Sequence, residues 1–176
     1  MKKNLAFAGS NHAASINHQL VEFSSSLFDD HEVNVLDIRN WDIPMYIINM
    51  DPDETPHKIT ELISILKGSD GFIIASPEHN GGTPAFLKNI LDCLSRRGDK
   101  VFDNKPVLLL STSPGAGGGA NHLKYLIQSL PYQSAYIAAS YSLPSFQKNV
   151  QDGKVVGEHL VQLSESINEF KEALKA

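Results

Sequence analysis

Three short stretches concentrate side chains and backbone able to hold a polar or charged ligand. They read GSNHAASIN at Gly9 to Asn17, SPEHNGGTPAFLKNILD at Ser76 to Asp92, and STSPGAGGG at Ser111 to Gly119. In the first, a loop leads into a helix start, where free backbone N–H groups and the helix dipole favour an anion. Ser10, Ser15 and Asn17 add side-chain donors, a set that suits a phosphate monoester. The plainer role, Ser15 capping its own helix, fits the same residues and is the favoured one for this segment taken alone. In the second, Pro77, Glu78, His79, Asn80 and Gly81 make a loop whose backbone must take special dihedrals. Glu78 has the chemistry of a general acid or base, and His79 can stack or hydrogen-bond. A rigid turn with a satisfied histidine explains both residues as well. In the third, Gly115 to Ala120 fits G-x-G-x-x-[GA], a dinucleotide fingerprint. That fingerprint belongs after a first strand, with an acid about 20 residues on to take a ribose. This run follows a fourth strand, and no Asp or Glu occurs from Asn104 to Gln151. A flexible loop accounts for the glycines equally.

Other chemistries lack their residues. There is no GxxxxGK[ST] phosphate loop, no HExxH zinc helix and no GxSxG elbow. The seven histidines are scattered, so no spacing argues for a metal. The one cysteine, Cys93, excludes an internal disulfide framework and a four-thiolate site. It sits among Ile90, Leu91 and Leu94, which predicts a buried, inert thiol. A net charge of −5 makes no electrostatic case for nucleic acid or an acidic membrane. Lys2 and Lys3 followed by Leu5 to Ala8 imitate a signal peptide, but the apolar run is shorter than the ~7–15 residues such a segment needs. No stretch approaches the ~18 apolar residues of a membrane span, so the cytoplasm is the expected compartment.

The elements that position the three stretches follow from periodicity. Asn4 to Ala8 reads as a strand, and a helix from Ser15 carries Ile16, Leu20, Phe23 and Leu27. Glu32 to Ile38 is a second strand. Trp41 to Thr55, with an acidic cluster at Asp51, Asp53 and Glu54, is an irregular surface loop. Pro56 to Lys67 is a helix with Ile59, Leu62, Ile63 and Leu66 inward, ended by Gly68. Gly71 to Ala75 is a buried strand. Thr83 is the expected N-cap, and Pro84 the first residue, of a helix bearing Phe86, Leu87, Ile90, Leu91 and Leu94. That helix stops near Arg96, Arg97 and Gly98, with Lys88 and Asp92 on one face. Pro106 to Leu110 and Ser134 to Ala138 are further strands around a helix with Leu123, Leu126, Ile127 and Leu130, ended by Pro131. Tyr141 to Val150 reads as irregular, and Val156 to Leu174 as the last helix. The alternation demands an α/β fold with a parallel sheet and helices on both faces, but not a strand order. A chain of 176 residues suits one domain.

The second stretch resembles the loop-and-helix signature of the NADPH-dependent FMN reductase family, SPEYNGSxPxxLKNxxD. The first resembles that family's phosphate loop, GSxRxxSxN, and the third its Gly-rich loop. The resemblance implies a flavodoxin-like α/β/α sandwich over residues 1–176, a five-stranded parallel sheet in the order 2-1-3-4-5. The loops after Ala8 and Ala75 would then face one crevice. It implies FMN held noncovalently, its phosphate at Ser10, His12, Ser15 and Asn17. Its ring would lie on Pro77, Glu78, His79, Asn80 and Gly81, with Ser113, Gly115, Gly117 and Gly118 at the other edge. Two positions depart from the family: His12 replaces its Arg, and His79 its Tyr. Glu78 is then structural, since flavin chemistry asks little of the protein beyond orientation and electrostatics. The activity implied is ping-pong transfer of hydride from NADPH or NADH through FMN to a quinone, free flavin, azo compound or oxyanion. Arg96, Arg97 and Lys100 offer positive charge for NADPH. A homodimer or homotetramer is implied as well. A flavodoxin-type electron carrier and a flavin-free binding module are the alternatives on the same fold.

Overall fold

A computed structural model describes residues 1–49, 54–97 and 100–176. Five parallel strands form one sheet in the order β2-β1-β3-β4-β5. They are β1 (Lys3–Ala8), β2 (Glu32–Val35), β3 (Gly71–Ala75), β4 (Pro106–Thr112) and β5 (Tyr136–Leu143). Between them run α1 (Ile16–Ser25), α2 (His57–Lys67), α3 (Ala85–Arg96) and α4 (Ala120–Ser129). After β5 come a short helix α5 (Phe146–Asn149), a hairpin of β6 (Val150–Gln151) and β7 (Lys154–Val155), and the long α6 (Glu158–Ala173). This is the order expected from the resemblance, and β1 lies beside β3 in register, Ala8 opposite Ala75.

The period of two sorts the strands' side chains onto two faces. Leu5, Phe7, Phe72, Ile74, Val107 and Leu109 meet α2, α3 and α4 on one face. Ala6, Ala8, Ile73, Ala75, Leu108 and Leu110 meet α1 and α6 on the other. The three alanines on that second face keep the sheet thin under α1. Cys93 is buried in the first cluster, as expected.

Several boundaries differ from the sequence expectation. Thr83 does not cap α3: Pro84 occupies the cap position without a side-chain bond, and Thr83 Oγ1 lies 3.4 Å from His122 Nδ1 instead. A tertiary partner has taken the hydroxyl from the local one. Gly68 ends α2 at φ −80°, so its freedom to turn left-handed is unused. β2 stops at Val35, although Ile38 beyond it is buried. β4 and β5 run further than their apolar cores, pairing Ser111 with Ser142 and Thr112 with Leu143. β5 is therefore Tyr136–Leu143 and not Ser134 to Ala138; as an edge strand it tolerates the small polar residues that hid its length. The stretch expected to be irregular after Tyr141 holds the end of β5, then α5 and β6. Asp152 (φ 50°) and Gly153 (φ 75°) turn β6 into β7, an Asp-Gly hairpin signal that the sequence carries openly. Residues 41–49 are irregular as expected, while Asp51, Asp53 and Gly98 lie outside the described residues.

Candidate active site

The C-terminal ends of β1, β3 and β4 release the three stretches onto the same edge of the sheet. Between them lies a cleft of about 440 Å³, within the range of small-ligand sites. Ser10, His12, Ser15, Asn17, Pro77, Glu78, His79 and Ser113 line it, as expected from the motifs. Asn80, Gly81, Gly115, Gly117 and Gly118 do not.

The first loop contributes hydrogen-bond donors to the lining of the cleft. Gly9 N–H donates to Ala75 O at 2.7 Å, tying the loop's start to β3. Ser10 Oγ accepts from His12 N–H at 3.3 Å, and Ser15 Oγ caps α1 by accepting from His18 N–H at 3.2 Å. Both hydroxyl protons stay available for a ligand, because each oxygen is used as an acceptor. The capping role of Ser15 is therefore compatible with a ligand at the same hydroxyl. The N–H groups of Ile16 and Asn17, at the start of α1, have no intrahelical acceptor. Asn17 is different from the expected simple donor. Its carboxamide gives to Thr112 O and takes from Thr112 N–H, both at 3.0 Å, so it straps α1 to the end of β4 and keeps one N–H for the cleft. Arg39 braces the loop from outside, donating to Ala13 O at 2.7 Å. Its remaining fork is spent on Asp37, whose carboxyl it holds well below the usual carboxylate range. His12 is exposed and lines the cleft.

The second loop is a rigid turn. His79 and Gly82 exchange backbone hydrogen bonds of 3.0 and 2.9 Å around Asn80 (φ 52°) and Gly81 (φ 78°). Two successive positive φ values are what an Asn-Gly tip supplies. Asn80 and Gly81 form the tip outside the lining, while Pro77, Glu78 and His79 line the cavity. Glu78 Oε2 accepts from His122 N–H at 3.0 Å, placing a carboxylate on the N-terminus of α4. Glu78 thus ties the second loop to α4 while lining the cleft.

The third loop divides. Ser113 and Pro114 line the cleft, while Gly115 and Gly117 are exposed beyond it. Gly118 (φ 58°) and Gly119 (φ 79°) are buried, where a side chain would strike Ser142 and Leu143, or Ser111. Their glycine requirement comes from packing against β4 and β5. The positive charge expected near the cleft is elsewhere: α3 spans 12 residues, roughly 18 Å of rise, and carries Arg96 to its far end. There Arg96 Nε donates to Tyr46 OH at 2.6 Å.

Ala14, Ile16, Thr112, Pro114 and Gln147, which no motif marks as ligand contacts, complete the lining. Gln147 comes from α5, a four-residue helix with no periodicity to read. His122, wholly buried under the second loop, has no sequence signal either, because a lone histidine carries no spacing.

The comparisons agree with this architecture. The model of the family described as NADPH-dependent FMN reductase matches residues 3–148. An NADH:(hydroxy)cinnamate reductase subunit of Vibrio ruber, CrdA, is 31% identical over 94% of this chain and 84% of its own length. A quinone reductase of Escherichia coli is 35% identical over 65% of this chain and 60% of its own length. FerB, an NAD(P)H:(acceptor) oxidoreductase of Paracoccus denitrificans, shares the fold with a TM-score of 0.80. It is 24% identical, over 99% of this chain and 98% of that one. With the family's model spanning all five strands of the sheet and all three loops, this chain belongs to the NADPH-dependent FMN reductase family.

Proposed function

We propose that this FMN-dependent NAD(P)H oxidoreductase binds FMN in the cleft of the three loops and reduces a small acceptor of the quinone class. The observation that carries the reading is the cleft itself, with the α1 N-terminus and two serine hydroxyls at one end and the Pro77–His79 wall beside it. The donor set fits FMN. A phosphate needs N–H and O–H donors, which Ser10, Ser15 and the α1 N-terminus offer. A flat ring needs a rigid wall, which the closed turn at His79 and Gly82 supports. Bound there, FMN supplies the two-electron relay between nicotinamide and acceptor. The chain's part is binding, orientation and shielding: Glu78 is held on α4, Asn17 fixes α1 to β4, and no residue is assigned as a proton donor. Asn80, Gly81, Gly115, Gly117 and Gly118 act through loop shape.

The quinone class follows the named activity of the Escherichia coli relative, with free flavins, azo compounds and a cinnamate-type acceptor as alternatives for the same assay. We read residues 1–176 as one FMN-binding domain working as a homodimer, or a homotetramer of two such pairs. Support for the pair is an exposed apolar run, Met45, Ile47 and Ile48, on a loop pinned to α3. Asn89 pins it, accepting from Tyr46 N–H at 2.7 Å and donating to Pro44 O at 3.0 Å. The cytoplasm is the proposed compartment; among the described residues no helix is long and apolar enough to cross a membrane.

The test is FMN titration followed by steady-state turnover. Purified protein should take up FMN with flavin absorbance and quenched flavin fluorescence, then oxidise NADPH or NADH when a quinone is present. Binding without nicotinamide-dependent turnover would leave an electron carrier, and no FMN binding would end the flavin reading.

A further inference from the structure

His122 sits in the first turn of α4, wholly buried, at the centre of a polar cluster beneath the cleft's second loop. Its Nε2 lies 2.7 Å from Ser76 Oγ and its Nδ1 3.4 Å from Thr83 Oγ1. Its backbone N–H, 3.0 Å from Glu78 Oε2, makes a third tie to the same loop. Ser76 and Thr83 are the residues on either side of Pro77 to Gly82. One side chain thus holds both ends of the loop that walls the cleft.

The proton positions follow from the partners. Ser76 Oγ lies 3.2 Å from Pro77 O, a carbonyl that can only accept, so the serine proton goes there. Ser76 Oγ must then accept from His122 Nε2–H, and Nδ1 accepts from the Thr83 hydroxyl. Burial favours this neutral form. Burial lowers its pKa against the pull of the Glu78 carboxylate, and His79 adds to the lowering; Glu78 and His79 are the ionisable groups that face it. A further bond, Ser111 Oγ to Ser76 O at 2.8 Å, ties the same corner to β4.

We propose that His122 is a positioning residue, whose ring clamps Ser76 and Thr83 to α4 and so holds the Pro77–Gly82 loop at the height the flavin ring requires. The proposal deepens the flavin reading and rests on it for the second half of that sentence. Through the clamp, the second loop and the helix after the Gly-rich loop move as one body.

Two measurements separate the clamp from its consequence. Amide hydrogen exchange at His79 and Gly82, whose N–H groups close the turn, reads loop rigidity without flavin. FMN titration reads the effect on binding. In Ser76→Ala and in His122→Leu both amides should exchange about tenfold faster and the FMN dissociation constant should rise about tenfold, as for one lost buried hydrogen bond. His122→Gln can still present a donor to Ser76 and should recover most of both losses. The double variant Ser76→Ala, His122→Leu should lose little more than His122→Leu alone, because that variant already breaks the link to Ser76. The ¹⁵N shifts of the wild-type imidazole should report the neutral Nε2–H tautomer. Wild-type exchange and affinity in Ser76→Ala and His122→Leu would overturn the proposal, as would equal losses in the Gln and Leu variants. Should His122→Leu fail to fold, Ser76→Ala decides alone, since it removes a single hydroxyl. If wild-type protein binds no FMN, the flavin reading fails, while the exchange data still decide whether the clamp exists.

Discussion

At the scale of single residues, the exchange of arginine for histidine at position 12 sets the most direct test. A guanidinium is charged at any working pH, whereas an imidazole titrates through the neutral range. The phosphate of FMN is close to a dianion above pH ~6 and favours a protonated imidazole beside it. Binding then takes up part of a proton, so affinity is highest on the acid side and falls as pH rises. His12→Arg should bind FMN roughly tenfold more tightly at pH 8, equivalent to ~1.4 kcal/mol, and flatten the pH profile. His12→Ala should flatten it too, with weaker binding at the acidic end. The phosphate titrates at the bottom of this window, so the three proteins must be compared at each pH. Superimposable profiles would remove His12 from the phosphate. Cys93 makes a second residue-scale case. Burial pushes its thiol up, and Asp92 pushes the same way. Native protein at pH 8 should resist iodoacetamide, reacting about a hundredfold slower than the unfolded chain. A folded thiol harder to ionise than the unfolded one contributes stability that is full below the ordinary thiol range and is lost as pH rises above it. Rapid alkylation of native protein would show the thiol to be open to solvent.

At the scale of elements, the Gly-rich loop separates two kinds of glycine. Gly118 holds φ 58°, and a Cβ there would lie 3.0 Å from the Leu143 carbonyl carbon. Strain and collision act together, so Gly118→Ala should destabilise by about 2–4 kcal/mol. At Gly117 a Cβ would meet open space. Gly117→Val should fold with a melting temperature near wild type, yet weaken FMN binding or slow turnover by stiffening the exposed half of the loop. Thermal melts and FMN titrations of the two variants test both claims; unchanged binding and turnover in Gly117→Val would take that half of the loop out of the site. α3 shows another local balance. Lys88 and Asp92 pair within the helix at 2.7 Å, an exposed link worth no more than about 0.3–0.5 kcal/mol. The helix is held by its buried face, not by that pair.

At the scale of the whole molecule, the prediction is assembly. Ile47 and Ile48 are 59% and 72% exposed, on a loop held firmly to α3 by Asn89. Exposed aliphatic residues on an anchored loop suit a two-fold contact, in which each copy offers the same patch to the other. Light scattering at micromolar concentration should give a mass of at least twice 19.3 kDa. Ile47→Asp with Ile48→Asp should shift the protein to monomer and leave the fold intact by circular dichroism. A wild-type mass of 19.3 kDa would sink the dimer.

Much of this protein was legible because its signals are local. The continuous apolar run of β3, the stripe of α3 and the Asn-Gly tip each need only neighbouring residues to be read, while the strand order that brings the three loops to one edge came from the resemblance to the family. The motif residues carried the family. What lay beyond reach depends on pairs distant in the chain. Asn17 looked like a free donor until β4 delivered the Thr112 backbone 95 residues later. Thr83 looked like a cap until His122, 39 residues away, drew its hydroxyl aside. Gly118 looked like a ligand contact until β5 closed on it. β5 itself was half hidden, since an edge strand is specified by its partner more than by its own hydrophobicity. The amino-acid sequence by itself determined most of the elements, because propensity and periodicity are properties of neighbours, and the resemblance of its motifs to the family carried the ligand class. Only the tertiary structure decided which polar atoms remain for a ligand, because hydrogen-bonding capacity is allotted among whatever the fold brings together.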